Sequence, residues 1–253
     1  RSSDLNLLTK PFASDLMRLN RSFIVKRSLS ALREKMMALK QLSGYIRNSI
    51  CREYISIWIA QAEGRAKDGH DRTETALLKM LALSRSNDQT FGAAMKDLCL
   101  VPVAIAYEYD PCVFDKAKQL KAQRSGDTYV KGDYEDLESI KKGFIGYKGR
   151  VHVSFGNAID IEVASPEELS TEIDRQIFSL FQLFPSHIIA WHLLNPDREG
   201  GYLQDIWPGE DWEAARKKFA GHMAELPVDY REIVLQSYAA PVVDQLASGG
   251  SML

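Results

Sequence analysis

Cysteine is scarce. The three in 253 residues, Cys51, Cys99 and Cys112, are odd in number and widely spaced. They suit neither a disulfide framework nor a zinc site, and they read as reduced interior thiols. No apolar run reaches the roughly 18 residues needed to span a bilayer. Gly-x-Gly-x-x-Gly, Walker, His-Glu-x-x-His and nucleophile-elbow patterns are all missing, which weakens dinucleotide, ATP, zinc-hydrolase and serine-hydrolase readings. No internal repeat occurs. The basic positions are not interleaved with a nucleic-acid module, so no nucleic-acid partner is expected. Histidine numbers only five. His70 has Asp68 and Asp71 close by and imitates a catalytic dyad, but adjacent loop residues often fail to face one another. His152 falls in a strand, and His187 and His192 in an apolar region. No metal is expected.

What is present is a chain with 45% hydrophobic residues, enough to bury a full core as one domain with appendages. Its net charge of -2 hides an asymmetry. Residues 1–50 hold ten Arg or Lys against three acids, whereas residues 201–253 hold eight acids and four Arg or Lys. A basic amino-terminal face suits a phosphate-bearing substrate or an anionic lipid surface, and it equally suits an ordinary solvated helix face. The chain opens abruptly on Arg1 without a methionine and reads as processed or partial.

Apolar runs at 23–26, 55–59, 101–107 and 151–155 read as strands, the second and third rich in β-branched residues. Pro102 is tolerable because it stands near its strand's beginning. Between them, Leu32, Met36, Leu39 and Leu42 recur at helical spacing, with Ser28 or Ser30 as the cap. Helical spacing returns at Ala76, Leu77, Met80 and Leu83, and a further helix is predicted over 88–98. Residues 112–145 form a polar helical excursion broken near Gly126 and Gly132. Strands separated by amphipathic helices predict an α/β fold, a central mixed sheet with flanking helices. Past Pro166 the texture becomes helical. The apolar stretch 177–194, interrupted by Pro185, suits core helices or a face resting on a membrane. The expected division is an α/β domain over 1–164 and a mainly helical extension over 165–253 packed on it.

The charged loop after the second strand carries the most chemistry. Glu63-Gly64-Arg65 offers a glycine for close ligand approach and a planar donor fork for two phosphate oxygens. Glu63 can accept from a substrate hydroxyl or orient the arginine. The same residues could equally pair with neighbours and stabilise the loop. Lys26 and Arg27 supply a second cation pair at a strand end. Arg27, at the junction with the next helix, is the favoured phosphate contact.

These blocks resemble the glycerolipid acyltransferase superfamily of glycerol-3-phosphate and 1-acylglycerol-3-phosphate acyltransferases. Ser22-Phe-Ile-Val-Lys-Arg27 resembles its second block and Glu63-Gly64-Arg65 its third, with one residue missing or shifted. Val101-Pro102-Val103 resembles the fourth, and Val153-Ser-Phe-Gly-Asn157 the closing strand and turn. The resemblance covers residues 20–160 in order and approximate spacing. It implies that Lys26, Arg27, Glu63, Gly64 and Arg65 bind the acceptor, while Val101, Pro102 and Val103 shape the pocket.

The departure is mechanistic. The superfamily's first block supplies a histidine and an aspartate, and no histidine precedes His70 here. The catalytic pair is therefore expected upstream of Arg1, and this chain alone is expected to be inactive. The intact protein would move a fatty acyl group from acyl-CoA or acyl-carrier protein to glycerol-3-phosphate or 1-acylglycerol-3-phosphate, without a cofactor. It would work as a peripheral protein at the cytoplasmic face of a membrane with an anionic surface. The rival readings are an acyltransferase for an amino-lipid or another alcohol, and a noncatalytic anionic-lipid-binding protein.

Overall fold

The computed structural model describes residue 15 and residues 31–60, 66–130, 132, 134–198 and 205–249. Its framework is helical. Helix α1 (Leu32–Cys51) leads into an extended segment and a loop, then α2 (Thr75–Leu81) with a 3-10 turn, and α3 (Phe91–Lys96). Strand β1 (Val103–Tyr107), helices α4 (Val113–Arg124) and α5 (Glu135–Ile145), and strand β2 (Val151–Phe155) follow. The chain ends with α6 (Pro166–Leu180), α7 (Pro185–Leu194), α8 (Trp212–Ala224) and α9 (Val228–Ala247).

The expectation of a central mixed sheet with flanking helices is overturned. Among the described residues there is one sheet of two strands, β1 against β2, antiparallel, with Val103 opposite Phe155 and Tyr107 opposite Val151. The burial pattern supplies the reason. Ala104 and Ala106 are buried on one face, while Ile105, Tyr107, Val151, Val153 and Phe155 stay exposed on the other. A parallel sheet needs cover on both faces, and only the alanine face has it. Residues 55–59 form no strand among the described residues; Ile57 and Ile59 pack against the helices. The run at 23–26 lies outside the described residues, as does the expected Ser28 or Ser30 cap. Ala31 occupies the N-cap of α1 with no side-chain bond. The predicted stripe on α1 holds only at its C-terminal end: Leu42 packs against the core, Leu32 and Met36 are exposed, and the fully buried residues are Ser43, Ile46 and Ser49.

Among the described residues two apolar cores hold the helices. The first gathers Ile46, Leu78, Leu81, Met95 and Leu98 with Ile159, Val163, Leu169, Ile173 and Ile177. The second gathers Tyr109, Val113 and Ala117 with Ile188, Trp191, Phe219, Val234, Tyr238 and Val242. Both draw on residues from either side of position 165. Helix α6 starts at Pro166, as its sequence predicts, and the structure adds a cap: Ser165 Oγ accepts from the Glu168 N–H. No single helix among the described residues is long and apolar enough to cross a membrane. Helices α6 and α7 pass that test together, bent by 105°, yet Leu169, Ile173, Ile177, Ile188 and Trp191 are buried within the protein.

Candidate functional site

Between α1, the 66–72 segment, β1 and the C-terminal helices lies an open chamber of about 970 Å³. Its described walls are mostly apolar, including Ile55, Ile57, Ile59, Leu77, Leu100 and Phe181. Val101, Pro102 and Val103 line it, as does Phe155 of the facing strand. Its polar lining includes Lys67, His70, Asp71, Arg72, Lys116 and Tyr238.

Helix α9 contributes Ser237, Tyr238 and Pro241 to the lining. Pro241 sits inside the helix and has no N–H to give the Ser237 carbonyl one turn earlier. Gly69 lies over that carbonyl: a Cβ there would come 2.0 Å from Ser237 O and 2.8 Å from the Ala240 Cβ. Its φ of +87° is also one that glycine adopts without strain. This close approach sets the next residue against Asp244, one turn beyond Ala240 on the same face.

The His70 ring meets both oxygens of Asp244, with Nδ1 at 2.8 Å from Oδ1 and 2.9 Å from Oδ2. Asp244 is buried, its side chain 6% exposed, while His70 keeps 31%. An ionised carboxylate only accepts, so Nδ1 carries the proton and Nε2 is left as the basic edge. The Asp244 hydrogen bond raises the His70 pKa above its ordinary value, against the opposing effect of burial. Asp68 does not pair with the ring; its Oδ1 accepts from the His70 backbone N–H at 3.1 Å. Asp71 is pushed above the usual carboxylate range by burial, then by Asp174 and Asp244. Asp174, on α6, accepts from the Thr73 N–H at 2.8 Å and pins the segment from the other side. Arg72 approaches Asp244 at 3.9 Å, and Lys116 pairs with Asp110.

His187 also lines the chamber but is a structural residue. Its Nδ1 accepts from the Phe184 N–H at 2.9 Å, and complete burial pushes its pKa down to about 4, keeping it neutral. Among the described residues no three His, Cys, Asp or Glu side chains are placed to hold a metal ion.

Of the residues singled out by sequence, Lys26, Arg27, Glu63, Gly64 and Arg65 lie outside the described residues. Asp244 and Asp174 escaped sequence reasoning, the first standing 174 positions from its partner. One signal was present: Asp244 is a lone charge in the apolar stretch Ala239-Ala-Pro-Val-Val-Asp244. A carboxylate on a buried helix face requires a partner.

No family model, curated protein or solved structure matches the chain.

Proposed function

We propose that this protein is an O-acyltransferase. It moves a fatty acyl group from acyl-CoA or acyl-carrier protein to the hydroxyl of glycerol-3-phosphate or 1-acylglycerol-3-phosphate. The observation that carries the reading is the chamber of about 970 Å³, mostly apolar along its walls, with Lys67, Arg72 and Lys116 among its lining. Its size is that of a small-molecule site, about 300–1,000 Å³. An acyl chain is matched by the walls and a phosphate by the cations. The ordered sequence blocks between residues 20 and 160 support the same reading, though the fold that their resemblance implies is not the one described above. Lys26, Arg27, Glu63, Gly64 and Arg65 are proposed as acceptor contacts. A lipid product implies peripheral work at the cytoplasmic face of an anionic membrane.

The test is release of free thiol and formation of acylated product from palmitoyl-CoA, with glycerol-3-phosphate and lysophosphatidate offered in parallel. The full natural reading frame and the 253-residue chain are assayed together. Product with one phosphate-bearing acceptor is the expected result. Replacing Arg65 with Ala should raise KM for that acceptor about tenfold or more, the loss of one charge-assisted contact of about 1.5–3 kcal/mol. Silence from both folded proteins on both acceptors overturns the assignment. Vesicle binding without turnover would then favour a noncatalytic lipid binder.

A further inference from the structure

Helices α7, α8 and α9 enclose a second cleft, of about 470 Å³, that shares no lining residue with the chamber. We propose that this cleft binds a small amphipathic anion, an aliphatic tail with one carboxylate head, through Arg216 and Arg231. The proposal is independent of the acyltransferase reading.

Each wall is one face of a helix. Helix α8 contributes Trp212, Arg216, Phe219, Ala220 and Met223, which recur three or four residues apart along one side. Helix α7 adds Ile189 and Leu193, and α9 adds Arg231 and Leu235, again at helical spacing. The short side chains of Ala220 and Ala224 on the α8 face leave the space open. Ile189, Phe219 and Met223 belong to the second core, whereas Leu193 is 59% exposed, so the cleft runs from that core to the surface. Its volume falls in the range of small-molecule sites, about 300–1,000 Å³, and a position between packed helices is a common one for them.

The charge in the cleft has one sign. Its lining includes two arginines and His192 but no acidic side chain. Cations set in an otherwise apolar hollow select an anion with an apolar body. Arg231 is held in place, with Nε donating to the Leu226 carbonyl at 3.0 Å and one Nη to the Ala224 carbonyl at 3.1 Å. The end of α8 thereby fixes a positive charge beside the cleft. Arg216 is exposed. Its planar fork matches the two oxygens of a carboxylate. With two Arg231 nitrogens engaged by carbonyls, the site offers one whole fork, which suits a singly charged head better than a phosphate dianion. The tail then lies against Ile189, Trp212, Phe219, Met223 and Leu235.

The experiment titrates the protein with terminally brominated dodecanoate, kept below its micelle concentration, and reads quenching of tryptophan fluorescence. A Trp58→Phe background removes the tryptophan that lines the chamber, leaving Trp212 as the one that lines the cleft. Far-UV circular dichroism confirms that each variant is folded. Expected results are saturable quenching in that background and its loss for the most part when Trp212→Phe is added. Arg216→Gln should weaken dodecanoate binding about tenfold and leave dodecanol binding unchanged, a split that a merely structural role would not give. Ala220→Phe, which fills the space without touching a charge, should weaken both ligands. Dodecyl phosphate should bind no more tightly than dodecanoate. Quenching in the wild type that disappears with Trp58→Phe places the ligand in the chamber, overturns the proposal and leaves the acyltransferase reading standing. Equal binding by Ala220→Phe and its parent overturns it too, as does a preference for dodecyl phosphate. An acidic amphipathic peptide that binds where dodecanoate does not would make the cleft a protein-docking groove, against the proposal.

Discussion

At the scale of single residues, the site depends on a glycine rather than on a charge. Any side chain at position 69 would collide with the backbone of α9, and the local φ of +87° strains every other residue. Gly69→Ala should therefore cost about 2–4 kcal/mol of stability, read as a lower urea midpoint. His70 should then titrate nearer its ordinary range by NMR. The pair also links stability to pH. Because Asp244 raises the His70 pKa, the stabilisation is complete below the unfolded value of about 6.5 and disappears as pH rises through the folded value. The free energy of unfolding should fall across that window, and Asp244→Asn should flatten the fall. A wild-type protein equally stable at pH 6 and pH 9 would contradict the coupling. Sequence showed His70 with two acidic neighbours but not which acid faces the ring. Asp68 is taken by the backbone, and the true partner is brought in by a helix from the far end of the chain.

Among elements, local periodicity was informative and pairing was not. The helix start at Pro166, the break at Pro185, the strand at 151–155 and most of the strand read over 101–107, observed as 103–107, follow from spacing that neighbouring residues determine. Which strands pair depends on distant surfaces, so among the described residues the expected sheet shrank to a single antiparallel pair. Its far end is fastened by Arg150. The guanidinium bonds Glu108 on one side and Glu210 on the other, and stacks over Trp207 at 4.4 Å. Those bonds hold the Glu108 carboxyl below the usual carboxylate range, although its burial alone pushes the other way. Removing Arg150 would leave the buried Glu108 charge unmatched. Arg150→Ala should cost about 2–3 kcal/mol, below the range for fully buried pairs because Arg150 is itself partly exposed. Arg150→Met with Glu108→Gln should recover part of the loss in denaturant melts. If the single and double variants melt alike, the ion pair is not what fastens the strand pair.

Across the whole molecule, the two cores decide how far the chain can be divided. The sequence marks a change of texture near 165, where strands give way to helices, and composition alone suggests an extension packed on a finished domain. The packing adds something that composition cannot carry. Leu169, Ile173 and Ile177 of α6 are buried in the first core, against Leu78, Leu81 and Met95. The second core needs Tyr109, Val113 and Ala117 from before the boundary to seat α7 and α9. Asp244 and Asp174 reach back to the 66–73 segment in the same way. Each fully buried Leu or Ile contributes about 1.5–3 kcal/mol. Three removed from one core therefore approach the whole stability of an ordinary domain, about 5–15 kcal/mol. A fragment of residues 1–164 should accordingly lack a cooperative thermal transition. The entire chain should melt in one step, with the two cores unfolding together. A 1–164 fragment that melts sharply by circular dichroism would show instead that 165–253 is a separable extension, and that the contacts across the boundary contribute little to the stability of the first core.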